Sequence, residues 1–153
     1  MLPKWHLLWG VVLSSILLFT PLPITSIAII FISSILIDLD HYSRYILITK
    51  KFSLKKFWNW SMDRRNRWKK LSPKEKKKYS KPVFILHNIE FLFILTLLSH
   101  ISQIFFLIFL GILFHLLSDF VHAFYKKHSL STKFSLIYVL NFNKSKKDFF
   151  NHQ

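Results

Sequence analysis

Four long apolar segments constrain the fold of this chain more than any other feature. They cover residues 5–19, 22–37, 83–98 and 101–124, and they are almost free of glycine. Apolar runs of this length are too long for strands and indicate helices. Only the last exceeds the roughly 18 residues that a spanning helix needs, so the other three can span only if their ends extend into the interface or the bilayer thins.

The basic residues all fall on one side of these segments. Fifteen of the 22 Lys and Arg residues lie between residues 44 and 81, six follow residue 124, and Lys4 precedes the first segment. The connections at 20–23 and 99–102 carry none. By the positive-inside rule, this pattern predicts four transmembrane helices in the cell membrane with both termini in the cytoplasm. A cleavable signal peptide competes for the first segment, but no small-residue cleavage site follows Pro21, which favours a retained helix.

We therefore predict an all-α fold, an integral membrane bundle of four transmembrane helices with a basic amphipathic insert at the interface between helices two and three. Residues 1–128 form the membrane domain, in which residues 44–82 are the cytoplasmic insert, and residues 129–153 form a cytoplasmic tail. Within the insert, Ser53 caps a helix that runs to about Lys70, and Ser72 forms a capping box with Glu75. The interleaved basic and aromatic residues favour contact with anionic membrane lipids over nucleic acid, for which no motif is present. No feature indicates a protein partner.

Four of the seven acidic residues lie in or at the ends of the apolar segments, each with a histidine within four positions. They form the groups Asp38-Leu-Asp40-His41, His87-Asn-Ile-Glu90 and His115-Leu-Leu-Ser-Asp119-Phe-Val-His122. Ionisable groups at membrane depth usually mark function, because hydrocarbon cannot replace their hydration. Carboxylate and imidazole groups are also ligands for zinc and similar divalent ions, and the chain has no cysteine that could supply thiolates.

The predicted topology places these groups, together with His6 at the start of helix one, within roughly 15 Å of one membrane face. Helical spacing puts His115, Asp119 and His122 on a shared face, and Gly111, one turn earlier, would let a neighbouring backbone approach closely. His100 lies at the opposite end and is expected to be a bystander.

Each group also has a structural interpretation. A lone histidine in an apolar helix is often a hydrogen-bonded packing residue, His87 and Glu90 could form an interhelical pair, and the Asp38–His41 group could be a solvated helix end. Taken together, the groups predict a site for a divalent metal, one or two ions, with zinc favoured.

The pattern resembles the YdjM-like family of membrane-bound, predicted metal-dependent hydrolases, which is related to the zinc-dependent phospholipase C superfamily. The matching residues are His6-Leu-Leu-Trp-Gly10, Asp38-Leu-Asp40-His41 and His115-Leu-Leu-Ser-Asp119, in the order that family members have them, and the resemblance covers about residues 4–125. The middle motif differs from the family pattern. Many members have His-Arg-Gly followed by Thr-His-Ser, where this chain has His87-Asn-Ile-Glu90.

The ligand set and the resemblance together imply a membrane-bound, metal-dependent hydrolase that acts at the cytoplasmic face on a phosphoester or a lipid headgroup. The expected metal ligands are His6, Asp38, His41, His87, Glu90, His115 and Asp119. Seven ligands exceed one tetrahedral shell, so either two ions bind or some of these residues only orient others. The expected catalytic residues are Asp40 as general base and His122 as acid or orienting group. The alternatives are a divalent-metal transporter that uses the same residues and a non-catalytic, lipid-binding membrane tether.

Overall fold

A computed structural model describes residues 3–125 and 135–147. These residues form eight helices and no strand, which confirms the prediction of an all-α fold. In chain order the helices are α1 (Pro3–Leu17), α2 (Ile24–Leu36), α3 (Leu39–Thr49), α4 (Leu54–Lys70), α5 (Pro73–Lys76), α6 (Ile89–Ser99), α7 (Gln103–Tyr125) and α8 (Leu136–Asn143). The predicted boundary between residues 128 and 129 lies outside the described residues.

The apolar helices form a bundle around α7. Helix α2 packs mainly against α7, which also packs against α6, while α1 packs against α2 and α7. A buried cluster of Ile37, Leu95 and Ile112 joins α2, α6 and α7. Four helix ends lie together: the N-terminal ends of α1 and α6 and the C-terminal ends of α2 and α7. This is seen in the contacts of His6 with Asp119 near the end of α7 and of His87 with Asp38 just after α2. The bundle therefore presents one polar end.

The closest approach in the bundle is at Gly111. A Cβ atom built there would overlap Ser33 Oγ and the carbonyl oxygen of Ile30, and it would lie 3.1 Å from Ser34 N. Only a residue without a side chain lets α7 lie this close to the backbone of α2. This confirms the prediction made for Gly111.

By length and composition, two helical segments can cross a membrane. They are Ile24–Thr49, in which α2 continues into α3, and Gln103–Tyr125. In their most apolar stretches only 33% and 28% of the residues are buried, whereas the core helix of a soluble protein would be mostly buried. Helices α1 and α6 have 15 and 11 residues and fall short of the roughly 18 needed to span alone. Membrane association is therefore indicated for two helices rather than for the four that the sequence predicts.

The junction of α2 and α3 differs from a regular helix. The backbone N–H groups of Asp38, Asp40 and His41 donate to carbonyl oxygens three residues earlier, so the helix tightens there to 3₁₀-type bonding. Tight turns of this kind within a helix are frequent at functional positions. Because α3 continues to Thr49, the first residues of the predicted insert belong to it.

The third apolar segment becomes helical later than the sequence predicts. Helix α6 begins at Ile89, so residues 83–88 are not part of it, and His87 lies in the loop before it. Two contacts hold this loop. Asp40 Oδ2 accepts a hydrogen bond from Leu86 N at 2.6 Å, and the Asn88 side chain donates to the carbonyl of Phe84.

The two short-range capping predictions in the insert are confirmed. Ser53 Oγ accepts from Lys56 N at the start of α4, which ends at Lys70 as predicted. Ser72 and Glu75 form the reciprocal capping box of α5. The hydrogen bonds from the Ser72 hydroxyl and backbone N–H hold the pKa of Glu75 below its usual 4.5.

Candidate metal centre

Six of the seven predicted metal ligands come together at the polar end of the bundle. Asp38 Oδ1 lies 3.7 Å from Nε2 of His87, 3.7 Å from Nε2 of His115 and 3.8 Å from Nε2 of His41. Asp119 lies on the other side of His115, with Oδ2 at 3.7 Å from its Nε2 and Oδ1 at 3.4 Å from His6 Nε2. Five helices or their flanking loops (α1, α2, α3, α6 and α7) thus contribute to one cluster.

These distances suit a shared ion better than direct hydrogen bonds. Good N–H···O hydrogen bonds span 2.7–3.2 Å. Two ligands of one tetrahedral zinc ion, each at about 2.0–2.1 Å from it, lie about 3.3 Å apart, a few tenths of an ångström less than observed here. Three overlapping groups in the described residues have ligand atoms within 4.8 Å of one another, namely His6–Asp38–His115, Asp38–His41–His87 and His87–His115–Asp119.

His115 is anchored so that its lone pair faces the carboxylates. Its Nδ1 lies 2.6 Å from the carbonyl oxygen of Ser34, which can only accept, so Nδ1 carries the hydrogen. In the neutral ring, Nε2 then presents a lone pair to Asp38 and Asp119, and this buried atom makes no hydrogen bond to any described residue. A lone pair that faces two buried carboxylates is repulsive by itself, and a cation held among them removes the repulsion.

His6 is held in the same sense. It stacks on His115 with the ring centroids 3.8 Å apart and the planes 9° from parallel. The Ser118 hydroxyl donates its hydrogen to the carbonyl oxygen of His115 at 2.7 Å. Its oxygen lies 3.4 Å from His6 Nδ1 and can therefore accept a hydrogen bond from that nitrogen. The Nε2 atom of His6 is then directed to Asp119. Ser118 is not among the site residues that the sequence predicts, although it lies between His115 and Asp119 in the same motif.

His87 has a carboxylate as its anchor. Asp40 Oδ2 lies 3.3 Å from His87 Nδ1 and also accepts from Leu86 N, so it fixes the loop and directs His87 Nε2 to Asp38. A carboxylate behind a metal-binding histidine is a common arrangement that sets the tautomer and the ring orientation. The general-base role expected of Asp40 stays a prediction. In the structure, its Oδ2 atom orients the His87 ring.

Glu90 was expected to be a metal ligand, but its carboxylate contacts α8 and not the cluster. Its carboxylate accepts from Ser135 Oγ at 2.5 Å, from Leu136 N at 3.0 Å and from Ile137 N at 3.3 Å, and so caps the N-terminus of α8. Because α6 begins only at Ile89, Glu90 lies in its first turn and not one turn beyond His87 on a common helix. It belongs to none of the candidate metal groups found among residues 3–125 and 135–147.

Two further histidines, His122 and His100, belong to none of the candidate metal groups among the described residues. His122 follows Asp119 on α7 and is in none of the candidate groups within the described chain, so its expected role as acid or orienting group stays a prediction. His100, the expected bystander, is exposed at the end of α6, away from the polar end. It therefore serves as a control for the histidines of the cluster.

Comparisons with protein-family models, with characterised proteins and with solved structures find no match to this chain. The function must therefore be argued from the cluster itself.

Proposed function

We propose that this protein is a membrane-bound, metal-dependent hydrolase whose site is the cluster around Asp38. The observation that carries the proposal is the common orientation of three histidines. His6, His87 and His115 are each held at Nδ1 by a different partner, and each directs Nε2 to a carboxylate. The Nε2 atoms of these histidines lie 3.4–3.7 Å from carboxylate oxygens, longer than a good hydrogen bond and close to the spacing of two ligands on one ion, and the three candidate metal groups overlap at Asp38, His87 and His115.

Membrane embedding is supported by the outer surface of the bundle. Large apolar side chains are exposed along all four bundle helices, among them Trp5, Leu8, Val12 and Ile16 on α1, Ile32 on α2, Phe93 and Leu97 on α6, and Ile104, Phe120 and Phe124 on α7. Contiguous apolar surface of this extent on a monomer marks a membrane or protein contact. The positive-inside rule would place the polar end, next to the basic insert, at the cytoplasmic face.

The chemistry follows from the donor set. Imidazole nitrogen and carboxylate oxygen suit zinc, with Asp38, Asp119, His6, His87 and His115 as the ligands that face one another and His41 as a further nitrogen beside Asp38. A divalent ion in such a site supplies Lewis acidity for the hydrolysis of an ester bond. The resemblance to the YdjM-like family supports the same reaction class, with a phosphoester or a lipid headgroup as substrate.

The first test is metal content. The full-length protein is purified in detergent, supplemented with zinc, desalted and analysed by inductively coupled plasma mass spectrometry. We expect stoichiometric metal in the wild type, and about tenfold or greater loss of affinity in Asp38→Asn and His115→Gln, since each removes a side chain that belongs to two of the three candidate metal groups. Asp63→Asn and His100→Gln are the matched controls, and both should retain the metal. Wild-type protein without stoichiometric metal after supplementation would refute the proposal.

The second test separates hydrolysis from transport. Wild-type protein and Asp119→Ala are compared on a panel of phosphoesters and in liposomes that contain a metal-sensitive dye. Hydrolysis that disappears in Asp119→Ala supports the proposal. Metal uptake that depends on Asp119, with no hydrolysis of any phosphoester, would favour a transporter instead, and metal binding with neither activity would favour a tether.

A further inference from the structure

Aromatic side chains join helix α4 to α3, the helix that leads out of the metal cluster. Tyr45 on α3 is 1% exposed, and its ring lies 5.6 Å from that of Phe57 and 5.4 Å from that of Trp60. Tyr42 contacts Phe57 edge-on at 5.3 Å, and its hydroxyl donates to the carbonyl of Phe52. Since α3 begins next to Asp38, these contacts connect α4 to the cluster through a single helix.

The outer side of α4 is strongly basic and almost uncompensated. The helix has seven Lys and Arg residues and a single acidic residue, Asp63, which pairs with Arg67 at 2.9 Å. Its exposed side therefore carries a large positive charge that no acidic group on the same helix can neutralise. Long-range attraction to a polyanionic surface follows from this charge.

One flank of α4 also exposes apolar side chains. Leu54 is 69% exposed and Trp58, one turn later, is 42% exposed, and Phe52 just before the helix is 73% exposed. At 100° per residue, Arg65 and Lys69 continue this flank, whereas Asp63 lies on the opposite side of the helix. A helix with basic and aromatic residues side by side and one apolar flank is typical of the membrane interface.

Continuity with the bundle identifies the partner. Along the chain, exposed Leu36, Leu39 and Leu47 continue the exposed apolar residues of α2 through α3 to Phe52 and Leu54. The apolar flank of α4 is thus the end of the surface that the proposed function places in hydrocarbon. A nucleic acid would meet the basic residues but would leave this apolar surface in water.

We infer that α4 is a docking helix for anionic phospholipid headgroups, lying in the interface with Leu54 and Trp58 directed into the bilayer. In this position it holds the polar end of the bundle at the level of the headgroups. The inference rests on the proposed membrane embedding but does not depend on whether the cluster is hydrolytic.

Spin labelling tests the inference directly, because the chain has no cysteine and a single introduced one is labelled without background. Full-length Leu54→Cys and Asp63→Cys proteins carry a nitroxide and are reconstituted in liposomes of phosphatidylglycerol or of phosphatidylcholine. Collision rates with oxygen, which concentrates in the bilayer, and with a water-soluble nickel chelate report the depth of each label. Trp58→Cys is a second reporter on the apolar flank should Leu54→Cys fold poorly.

We expect the label at position 54 to be immersed in phosphatidylglycerol and the label at position 63 to stay in water. Replacing Lys55, Lys69 and Lys70 with Gln removes three positive charges from the surface of α4. This change should weaken the association of α4 with anionic lipid on the order of 100-fold, and in bilayers of low anionic content it should return label 54 to water. Equal water accessibility of the two flank labels and of label 63 in phosphatidylglycerol would overturn the inference. So would protection of α4 by an oligonucleotide but not by anionic lipid. Metal content, measured on the same samples, shows separately whether the proposed function holds.

Discussion

Gly111→Ala is the substitution that tests most sharply whether the bundle positions the cluster. The new methyl group would overlap the carbonyl oxygen of Ile30, which is backbone and cannot rotate away as a side chain can. Restoring ordinary van der Waals contact requires α2 and α7 to separate by about 1 Å. Overpacking of a close helix contact typically costs about 1–3 kcal/mol.

The same separation would detach His115. This histidine lies one turn after Gly111, and its Nδ1 is 2.6 Å from the carbonyl oxygen of Ser34, the residue after Ser33 on the facing helix. A movement of about 1 Å lengthens this contact to about 3.6 Å, beyond the hydrogen-bonding range. His115 then loses the anchor that directs Nε2 to Asp38, so we expect metal affinity to fall at least about tenfold.

Gly10→Ala is the matched control. Its Cβ would meet Ser34 Oγ at 3.1 Å and the ring of Phe31 at 3.3 Å, both side-chain groups that can shift by a few tenths of an ångström. Thermal unfolding in detergent and metal titration with a chelating dye are measured for both variants. Gly10→Ala should retain its metal affinity. If Gly111→Ala binds metal and unfolds like Gly10→Ala, the close approach of α2 and α7 does not position the site, and the reasoning fails.

Two further substitutions separate orientation from ligation. Asp40→Asn keeps an acceptor for Leu86 N but removes the negative charge beside His87 Nδ1. We therefore expect the metal affinity to fall by about 10–100-fold while the unfolding temperature changes little. Unchanged affinity in the dye titration would exclude the orienting role of Asp40. Glu90→Ala leaves Ser135 as the N-cap of α8 but removes the carboxylate that accepts from Leu136 N and Ile137 N, a loss of about 1 kcal/mol, so the amides of residues 135–147 should exchange faster in hydrogen–deuterium exchange while metal content stays the same. Loss of metal in Glu90→Ala would instead restore Glu90 as a ligand.

The features that the sequence predicts well depend on neighbouring residues. Ser53, Ser72 and Glu75 cap helices through contacts three residues apart, and these helices begin where the pattern places them. The spacing of His115 and Asp119 on one helix face likewise needs only a regular helix. Convergence of the motifs could be predicted as well, because the positions of the basic residues set which helix ends lie together.

The features that the sequence does not predict depend on partners far along the chain. The helical pattern of residues 83–98 is interrupted because Asp40, 46 residues earlier, takes the N–H of Leu86. Glu90 is withdrawn from the cluster by three donors at the start of α8, 45 to 47 residues later. The anchor of His115 is a backbone carbonyl, a group that every residue has and that leaves no mark in a sequence.

The charges at the cluster lead to a last prediction, the number of ions. Asp38 and Asp119 are the carboxylates that face the imidazole Nε2 atoms, and their two negative charges balance one divalent ion in a site that is largely closed to water. We therefore expect one zinc ion per chain by mass spectrometry. A second ion would need further negative charge, and the additional carboxylate beside the cluster is Asp40, whose Oδ2 lies 3.3 Å from His87 Nδ1. In that case Asp40→Asn would lower the stoichiometry from two to one, whereas an orienting Asp40 lowers only the affinity, so the saturating metal content of this variant decides between the two arrangements.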